Sequence, residues 1–289
     1  MKFNDPKIVA EICCNHQGDL SIAKKMIKTV AEAKATVVKF QKRNNKEFLT
    51  DNQYEAPHPN KMHSFGEPYG LHREFLEFTI AQHYELKIYA ESLGIIYSSS
   101  VFDISSAKDV ISINPEYIKV PSACNNNFKM LKYLRDNYEG GVHISFGMTT
   151  KLEEEEIVQI FEERKQAHRL VLYACTSGYP VPFKDVCLLE ITRLRKTFFD
   201  RVDKIGFSGH HHGIAVDVAA YTLGAEWFER HFTLDRTWKG TDQVFSLEPT
   251  GMRKLARDLR ATKSSLTYKT EDILDIEKPN GGYEKYKEV

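Results

Sequence analysis

Long apolar runs and an excess of one charge are both missing from this 289-residue sequence. A membrane-spanning helix needs ~20 consecutive apolar residues, and no run here reaches that length. Forty basic and forty acidic side chains cancel, so no overall field attracts nucleic acid or an anionic membrane surface. The amino terminus, MKFNDPKIVAEIC, has no charged leader followed by an apolar signal core. We therefore expect a soluble, cytoplasmic protein that binds neither nucleic acid nor membranes.

Paired cysteine motifs are missing as well. The five cysteines are odd in number, and their positions do not repeat the spacing of a structural zinc site. A disulfide scaffold and a zinc ribbon are both disfavoured by this usage. We expect reduced thiols in an intracellular enzyme.

The sequence does contain a regular alternation of short β-branched runs and amphipathic segments. Strands are predicted at 8–12, 36–40, 95–98, 117–120, 142–145, 170–174, 205–207 and 226–228. Helices are predicted at 22–34, 72–93, 105–112, 128–137, 152–164, 186–199, 213–224 and 249–263. Eight strand and helix pairs are the number that closes a (β/α)₈ barrel. We predict an α/β fold, a single-domain TIM barrel over residues 1–265, followed by a polar tail at 266–289.

A doubly wound open sheet is the alternative fold. It would need a phosphate fingerprint such as G-x-G-x-x-G after the first strand, where residues 13–18 read CCNHQG. The barrel also leaves one long polar loop, at 41–70, which is rich in Asn, His and Pro. A loop of that length inside a compact domain is either functional or disordered.

Polar residues follow the predicted strands, and a barrel gathers such residues at its carboxyl face. Lys39 and Lys119 each interrupt an apolar strand, where burial is costly without an anionic partner. Two ammonium groups among hydroxyls suit a substrate that carries a phosphate and a carboxylate. The polar residues at these ends are Glu11, Lys39, Gln41, Ser99, Ser100, Lys119, Ser122, Ser145, Thr176, Ser177, Tyr179, Ser208, His210, Glu229, His231 and Asp242.

Two histidines, His210 and His231, follow strands that are one crossover apart. Because that crossover is right-handed, both strands end at the same edge and the two side chains can meet. Two imidazoles with waters or a substrate oxygen would hold a divalent ion with open positions, and Glu229 or Asp242 could fix a tautomer. The alternative is that residues 210–212, three histidines in a row, only fill a loop.

Six segments, in order, resemble the sialic acid synthase family: VAEICCNHQGD, VKFQK, YIKVPSACNNN, CTSGYPVP, GFSGHHHGIAVDVAAYTLGA and ERHFTLDRTWKGTD. The resemblance covers residues 5–265. Enzymes of this family condense phosphoenolpyruvate with an N-acylmannosamine-type sugar and release phosphate and a nonulosonic acid. The WKG and YGLH segments are most similar to the animal-type branch, whose acceptor is a 6-phosphorylated sugar.

The resemblance implies a transferase with C–O cleavage and a role for each site residue. It implies a divalent metal, Mn²⁺ or Mg²⁺, on His210 and His231. Carbon 3 of phosphoenolpyruvate would attack the open-chain aldehyde that the metal polarises, and water would add at carbon 2. Phosphoenolpyruvate is implied at Lys39, Lys119, Ser122, Ser145, Ser177 and Ser208. The sugar is implied at Glu11, Gln41, Tyr179 and Asp242, and the catalytic groups at Glu11, Asp242, Glu229 and His210.

Departures from the family pattern leave the acceptor open. Histidines stand at 211 and 212, glutamine at 243 and phenylalanine at 146, where members carry other residues. A synthase for another nonulosonic acid, of the legionaminic or pseudaminic type, is one alternative. A barrel that has lost catalysis and only binds sugar is the other.

Members of the family continue past the barrel into a small antifreeze-like domain that covers the partner subunit's active site. We expect that domain to be missing here, because residues 264–289 are few and polar. A homodimer is expected from the resemblance, with the site open or covered by a separate lid protein. The long polar loop could supply part of the cover and a cationic contact for a sugar phosphate through Lys42, Arg43, Lys61, His63, His72 and Arg73.

Overall fold

Within residues 3–278, which the computed structural model describes, eight parallel strands close into a barrel in chain order. Strands β1 to β8 are Lys7–Glu11, Val37–Lys42, Ile96–Val101, Tyr117–Val120, Gly141–Ser145, Leu170–Cys175, Lys204–Gly209 and Trp227–His231. Strand β8 returns to β1, with His231 opposite Glu11. The predicted TIM barrel is confirmed, and the open-sheet alternative is excluded by this closure.

Helices surround the barrel because each buries one apolar stripe against the strands. In α1, Ala23, Met26, Ile27 and Val30 recur at helical spacing and are all buried, and Asp19 caps its first turn. The helices α1 to α11 are Leu20–Glu32, Asn45–Phe48, Asp51–Glu55, Tyr69–Phe75, Ile80–Ser92, Ile104–Ser112, Phe128–Asn137, Lys151–Glu162, Leu189–Phe198, Ala215–Thr222 and Pro249–Ser265.

Aromatic rings close the barrel interior near the amino-terminal ends of its strands. Tyr117 stacks on His143 with ring centroids 3.7 Å apart, and Trp227 meets the His143 ring edge-on at 4.5 Å. Burial, together with the charge of Lys119, holds the pKa of His143 well below its usual range, so this ring stays neutral in the core. These rings fill the amino-terminal end of the barrel interior with uncharged groups. The buried charged groups of the site lie toward the carboxyl end of the strands.

The region between β2 and β3 differs from the prediction in two places. The predicted helix at 72–93 is two helices, α4 and α5, because the hydroxyl of Thr79 accepts a bond from the Gln82 N–H in a capping box that starts α5. The predicted loop at 41–70 contains α2, α3 and a 3₁₀ turn. Asn44, Thr50 and Asn60 each cap one of these short elements. Helical periodicity does not detect segments of three to five residues.

The predicted polar tail begins where α11 ends, at Ser265. Residues 266–278 form turns and coil, and the remainder of the predicted tail, 279–289, lies outside the described residues. In the described part of the chain, no helix has both the length and the apolar character that crossing a membrane requires.

Replacing Thr79 with alanine should lower the free energy of unfolding by about 1 kcal/mol, because the capped N–H groups at the start of α5 lose their acceptor. Thr79→Ser should retain most of the stability. Urea unfolding of both variants measures this, with Ser92→Ala at the other end of α5 as a control that should match wild type. Equal stability of the Ala and Ser variants at position 79 would contradict the capping role.

Candidate active site

A cavity of about 350 Å³ opens at the carboxyl ends of the barrel strands. Its volume is within the range of pockets that hold small molecules. Of the residues to which the resemblance assigns a role, all line it except Ser177; of the other strand-end residues, Ser100 lines it, whereas Ser99 and Thr176 do not. The predicted residues that line it are Glu11, Lys39, Gln41, Lys119, Ser122, Ser145, Tyr179, Ser208, His210, Glu229, His231 and Asp242.

Two lysines and two glutamates form a buried ionic network at the base of the cavity. Lys39 forms an ion pair with Glu11 and lies 3.7 Å from the Glu229 carboxylate. Lys119 Nζ donates to both Glu229 oxygens, at 3.1 and 3.2 Å. All four side chains are buried. The anionic partners that the sequence predicts for the two lysines are therefore already present within the protein.

The network sets the charge of each member. Burial acts to lower the pKa of Lys39, but the carboxylates of Glu11 and Glu229 outweigh it and raise that pKa. Burial lowers the pKa of Lys119, since the carboxylate of Glu229 offsets it only in part and the charge of Lys39 adds repulsion. For Glu229, burial is outweighed by both lysines, which lower its pKa to about 2. Lys39 and Glu229 are firmly charged, and Lys119 is the more easily deprotonated lysine.

Strand pairing explains why Glu229 meets the lysines. Ser208 lies opposite Glu229 in the β7–β8 register, and its hydroxyl donates to that carboxylate at 3.4 Å. The resemblance implies a place for Glu229 beside a metal histidine. Within residues 3–278, the hydrogen-bonded contacts of its carboxylate are with Lys119 and Ser208.

Two serine hydroxyls lie close to Gly147, which follows β5. The Gly147 N–H donates to Ser122 Oγ at 3.0 Å. A Cβ at position 147 would lie 2.2 Å from Ser177 Oγ and 2.7 Å from Ser122 Oγ, so only glycine allows the two hydroxyls this close. Ser145 Oγ and Ser177 Oγ are buried without a hydrogen-bond partner among residues 3–278. Unpartnered buried hydroxyls next to a lysine can accept or donate to an anionic ligand.

The predicted histidine pair does meet. His210 and His231 have ring centroids 5.4 Å apart, and both are buried at the cavity wall. His210 Nδ1 donates to the Thr176 carbonyl at 3.1 Å, which leaves Nε2 with its lone pair. His231 Nδ1 is buried and lacks a hydrogen-bond partner in the described chain, 3.7 Å from Asp242. Burial and the neighbouring His231 lower the pKa of His210 to about 3, so it is a neutral ligand. These two residues fit a divalent metal ion.

The other two histidines of the run have different surroundings. His211 is fully buried and lies 3.2 Å from Asp217, which also pairs with Arg230. That cluster packs between β7, β8 and α10, away from the cavity. His212 is exposed. One histidine in three therefore faces the site, and the alternative of a simple loop is not supported.

Arginines from the region after β2 form part of the cavity wall. Arg43 lies 3.2 Å from Glu77 and packs its guanidinium 4.1 Å from the centre of the Phe102 ring. Arg73, on α4, is buried and lines the cavity, with no side-chain hydrogen bond or ion pair to residues 3–278. Lys61 is exposed and is absent from the described residues that line the cavity. The cationic part of the predicted cover is therefore Arg43 and Arg73.

Sequence reasoning did not place a thiol in this cavity. Cys13 follows β1 and donates to the Asp242 carboxylate, with Sγ 2.6 Å from Oδ2. Its backbone is left-handed, with φ of 51°. A non-glycine residue in that region is a feature of functional sites. The sequence signal for this thiol is the position of Cys13 directly after a predicted strand. The odd number of cysteines indicates only reduced thiols.

Comparisons with known proteins agree with this site. The profile of the NeuB family matches residues 26–271. The human N-acetylneuraminate-9-phosphate synthase is 39% identical over 272 residues, which are 93% of this chain and 74% of that protein. The N,N'-diacetyllegionaminic acid synthase of Campylobacter jejuni is 32% identical over 260 residues, 90% of this chain and 77% of that protein. The crystal structure of the N-acetylneuraminic acid synthetase of Leptospira borgpetersenii, in complex with citrate, is similar with a TM-score of 0.81 and 29% identity, covering 97% of this chain and 91% of that chain.

The fold and the site define a TIM-barrel enzyme whose cavity suits small anionic molecules. This chain belongs to the NeuB family, because the family profile spans most of its length. The resemblance seen in the sequence is thereby confirmed. Members of this family are, in general, metal-dependent synthases.

Replacing Glu229 with glutamine should cost about 3 kcal/mol of stability at neutral pH, because two buried ammonium groups lose a shared partner. The folded-state pKa of Glu229, about 2, is below its usual 4.5. Its contribution is therefore complete above pH 4.5 and is lost as the pH falls toward 2.

Urea unfolding across that pH range measures the difference between the Glu229→Gln variant and wild type. The difference should narrow on acidification. Glu226→Gln is the matched control, since Glu226 contacts Asn4 at the exposed end of the same strand. A difference that stays constant from neutral to acid pH would show that Glu229 is not held ionised by the lysines.

Proposed function

We propose that this protein is a sialic acid synthase, a transferase that condenses phosphoenolpyruvate with an N-acylmannosamine-type sugar. The observation that carries the proposal is one cavity lined by two buried lysines with the unpartnered hydroxyl of Ser145 and, as a second group, by a histidine pair. The first group suits a phosphate with a carboxylate, and the second suits a metal ion. Membership of the NeuB family and the similarity to N-acetylneuraminate-9-phosphate synthases support it.

Phosphoenolpyruvate would bind where the serines and lysines converge. Lys119, with Ser122, Ser145 and Ser177 nearby, offers donors to its phosphate, and Lys39 offers an ammonium to its carboxylate. Both lysines must loosen their contacts with glutamates to do so. Lys119 is the more responsive, because it has one carboxylate partner where Lys39 has two.

His210 and His231 would hold the divalent ion, Mn²⁺ or Mg²⁺, near the acceptor. When bound there, the ion supplies a Lewis acid that polarises the sugar aldehyde. The protein's own residues fix the reacting partners: the lysines and serines hold phosphoenolpyruvate so that carbon 3 faces the carbonyl carbon. Tyr179 packs edge-on against His210, with centroids 4.6 Å apart, and offers its hydroxyl on the sugar side.

Forming the carbon–carbon bond leaves positive character at carbon 2, which water traps. The tetrahedral centre then collapses with loss of phosphate, so the C–O bond of phosphoenolpyruvate breaks. Glu11 and Asp242 are the carboxylates placed to accept the proton from that water or to return one to the new hydroxyl. Glu11 receives a hydrogen bond from Gln41 Nε2 at 2.9 Å, and Asp242 faces His231.

The acceptor in this proposal is the 6-phosphate of N-acetylmannosamine rather than the free sugar. Arg73 supports this choice, since it is a buried cation at the cavity wall with no anionic partner among the described residues. A guanidinium at the cavity wall presents several N–H donors that can bind a phosphate in two places at once. A legionaminic-type acceptor is the second candidate, favoured by the similarity to the Campylobacter jejuni enzyme.

The remaining parts of the proposal concern organisation. We assign the catalytic barrel to residues 1–265 and the tail to 266–289. The homodimer, the separate lid protein and the cytoplasmic location expected from the sequence belong to the same proposal. Small-molecule substrates are consistent with the family, whereas each of these three points requires its own measurement.

Wild-type protein with manganese should release phosphate from phosphoenolpyruvate only when the acceptor sugar is present. Comparing N-acetylmannosamine with its 6-phosphate identifies the acceptor. His210→Ala should reduce the rate by at least ~100-fold, because a direct metal ligand is lost. His212→Ala, the exposed neighbour two residues away, should leave the rate unchanged. Equal loss in both variants, or no release with either sugar, would count against the proposal.

Replacing Arg73 with alanine should raise the Michaelis constant for the 6-phosphate sugar by about 10- to 100-fold, the cost of one charged hydrogen-bonded contact. Activity with the unphosphorylated sugar should change little. Lys61→Ala is the matched control from the same loop, and it should behave as wild type. A similar effect of Arg73→Ala on both sugars would assign Arg73 a structural role instead.

A further inference from the structure

We propose that Cys13, Cys14 and Asp242 form an alternative metal site, selective for soft divalent cations such as Zn²⁺, that shares His231 with the histidine pair. Cys13 Sγ and Cys14 Sγ are 3.9 Å apart. Two sulfurs bound to one zinc at about 2.3 Å in a tetrahedron are separated by about 3.8 Å. The two thiols are already spaced as ligands of a single ion.

The carboxylate completes a three-ligand group. Asp242 Oδ2 lies 2.6 Å from Cys13 Sγ and 4.0 Å from Cys14 Sγ. The three ligand atoms lie within 4.8 Å of one another. In a tetrahedral site the sulfur–oxygen separation is about 3.5 Å, so the cation would push Cys13 outward and draw Cys14 inward by less than about 1 Å each. A rotation of the Asp242 side chain supplies that adjustment.

A fourth ligand is available from the histidine that faces the same oxygen. His231 is more than nine-tenths buried, and its Nδ1 has no hydrogen-bond partner in the described chain. That atom lies 3.7 Å from Asp242 Oδ2. Because this nitrogen is unpartnered and faces the shared carboxylate, it can turn to a cation on the thiols, which would then compete with the ion on the histidine pair for His231.

The surroundings favour a built site. Both thiols are buried, with exposed fractions of 6% and 7%, and they pack against Leu76. Cys13 also lines the cavity, so a cation can enter from it. The left-handed backbone at Cys13 holds its sulfur toward Asp242.

Ligand softness separates this site from the histidine pair. Thiolates select zinc-like ions over manganese or magnesium, which prefer oxygen ligands. Each thiol that binds gives its proton to solvent. Because Asp242 serves both the thiols and the proposed sugar contact, zinc in the thiol site should inhibit the synthase reaction. That consequence rests on the proposed function, whereas the binding itself does not.

Cobalt substituted for zinc tests the site directly, since thiolate ligation gives an intense charge-transfer absorption that imidazole and carboxylate ligation do not. Wild type and the His210→Ala variant should both show the band. Cys14→Ser should lose it, and Cys187→Ser, an exposed thiol outside the cavity, should retain it. Cys13→Gly removes the other sulfur while suiting the positive φ, so misfolding of a strained serine variant is avoided.

Zinc inhibition of phosphate release gives the second readout. The zinc concentration for half-inhibition should rise at least ~10-fold in Cys14→Ser, since even groups outside the ligand shell cost that much affinity. No cobalt–thiolate band in wild type, or a band that survives in the Cys13→Gly, Cys14→Ser double variant, would overturn the site. A band without any synthase activity would support the site and count against the proposed function alone.

Discussion

The buried network of Lys39, Lys119, Glu11 and Glu229 is the constraint on which the site depends. Two ammonium groups and two carboxylates pair with one another at the bottom of the cavity, and these contacts offset the cost of burying them away from water. An anionic ligand that enters the cavity therefore meets a lysine and glutamate network with no excess charge. Additional positive charge is available from Arg73 at the cavity wall and from the divalent ion proposed on the histidine pair.

The network also connects two parts of the cavity that carry different side chains, lysines and serines in one and histidines with Asp242 in the other. The two lysines come from β2 and β4, and the serines from β5, β7 and the segments after β4 and β6. His210 follows β7, His231 ends β8, and Asp242 lies in the loop after β8. Glu229, on β8, reaches across to Lys119 on β4, since interior side chains of a barrel meet at its axis. That contact joins the strand that carries His231 to the strand that carries Lys119.

The connection after β2 departs from a simple strand-to-helix turn, because it contains several short helices. Helix α4 places Arg73 at the cavity. The segment of short helices ends at Thr79, which caps the first turn of α5. Helices α2 and α3 and the 3₁₀ turn each have a side-chain cap, which compensates for the few hydrogen bonds that so short an element can form. Arg73 and its helix lie outside the eight strands, so the residues of this segment can differ without a change in the barrel.

The sequence by itself determined the barrel, the strand-end residues and the pairing of His210 with His231, because strand and helix periods and the right-handed crossover fix which ends meet. It could not determine that Glu229 turns to the lysines, that Arg73 reaches the cavity, or that Cys13 contacts Asp242. Those contacts join residues from different elements. They depend on the register of the barrel strands, on the short helices after β2 and on the left-handed backbone of Cys13. Only the tertiary structure specifies which ionised partners stand within reach of each other.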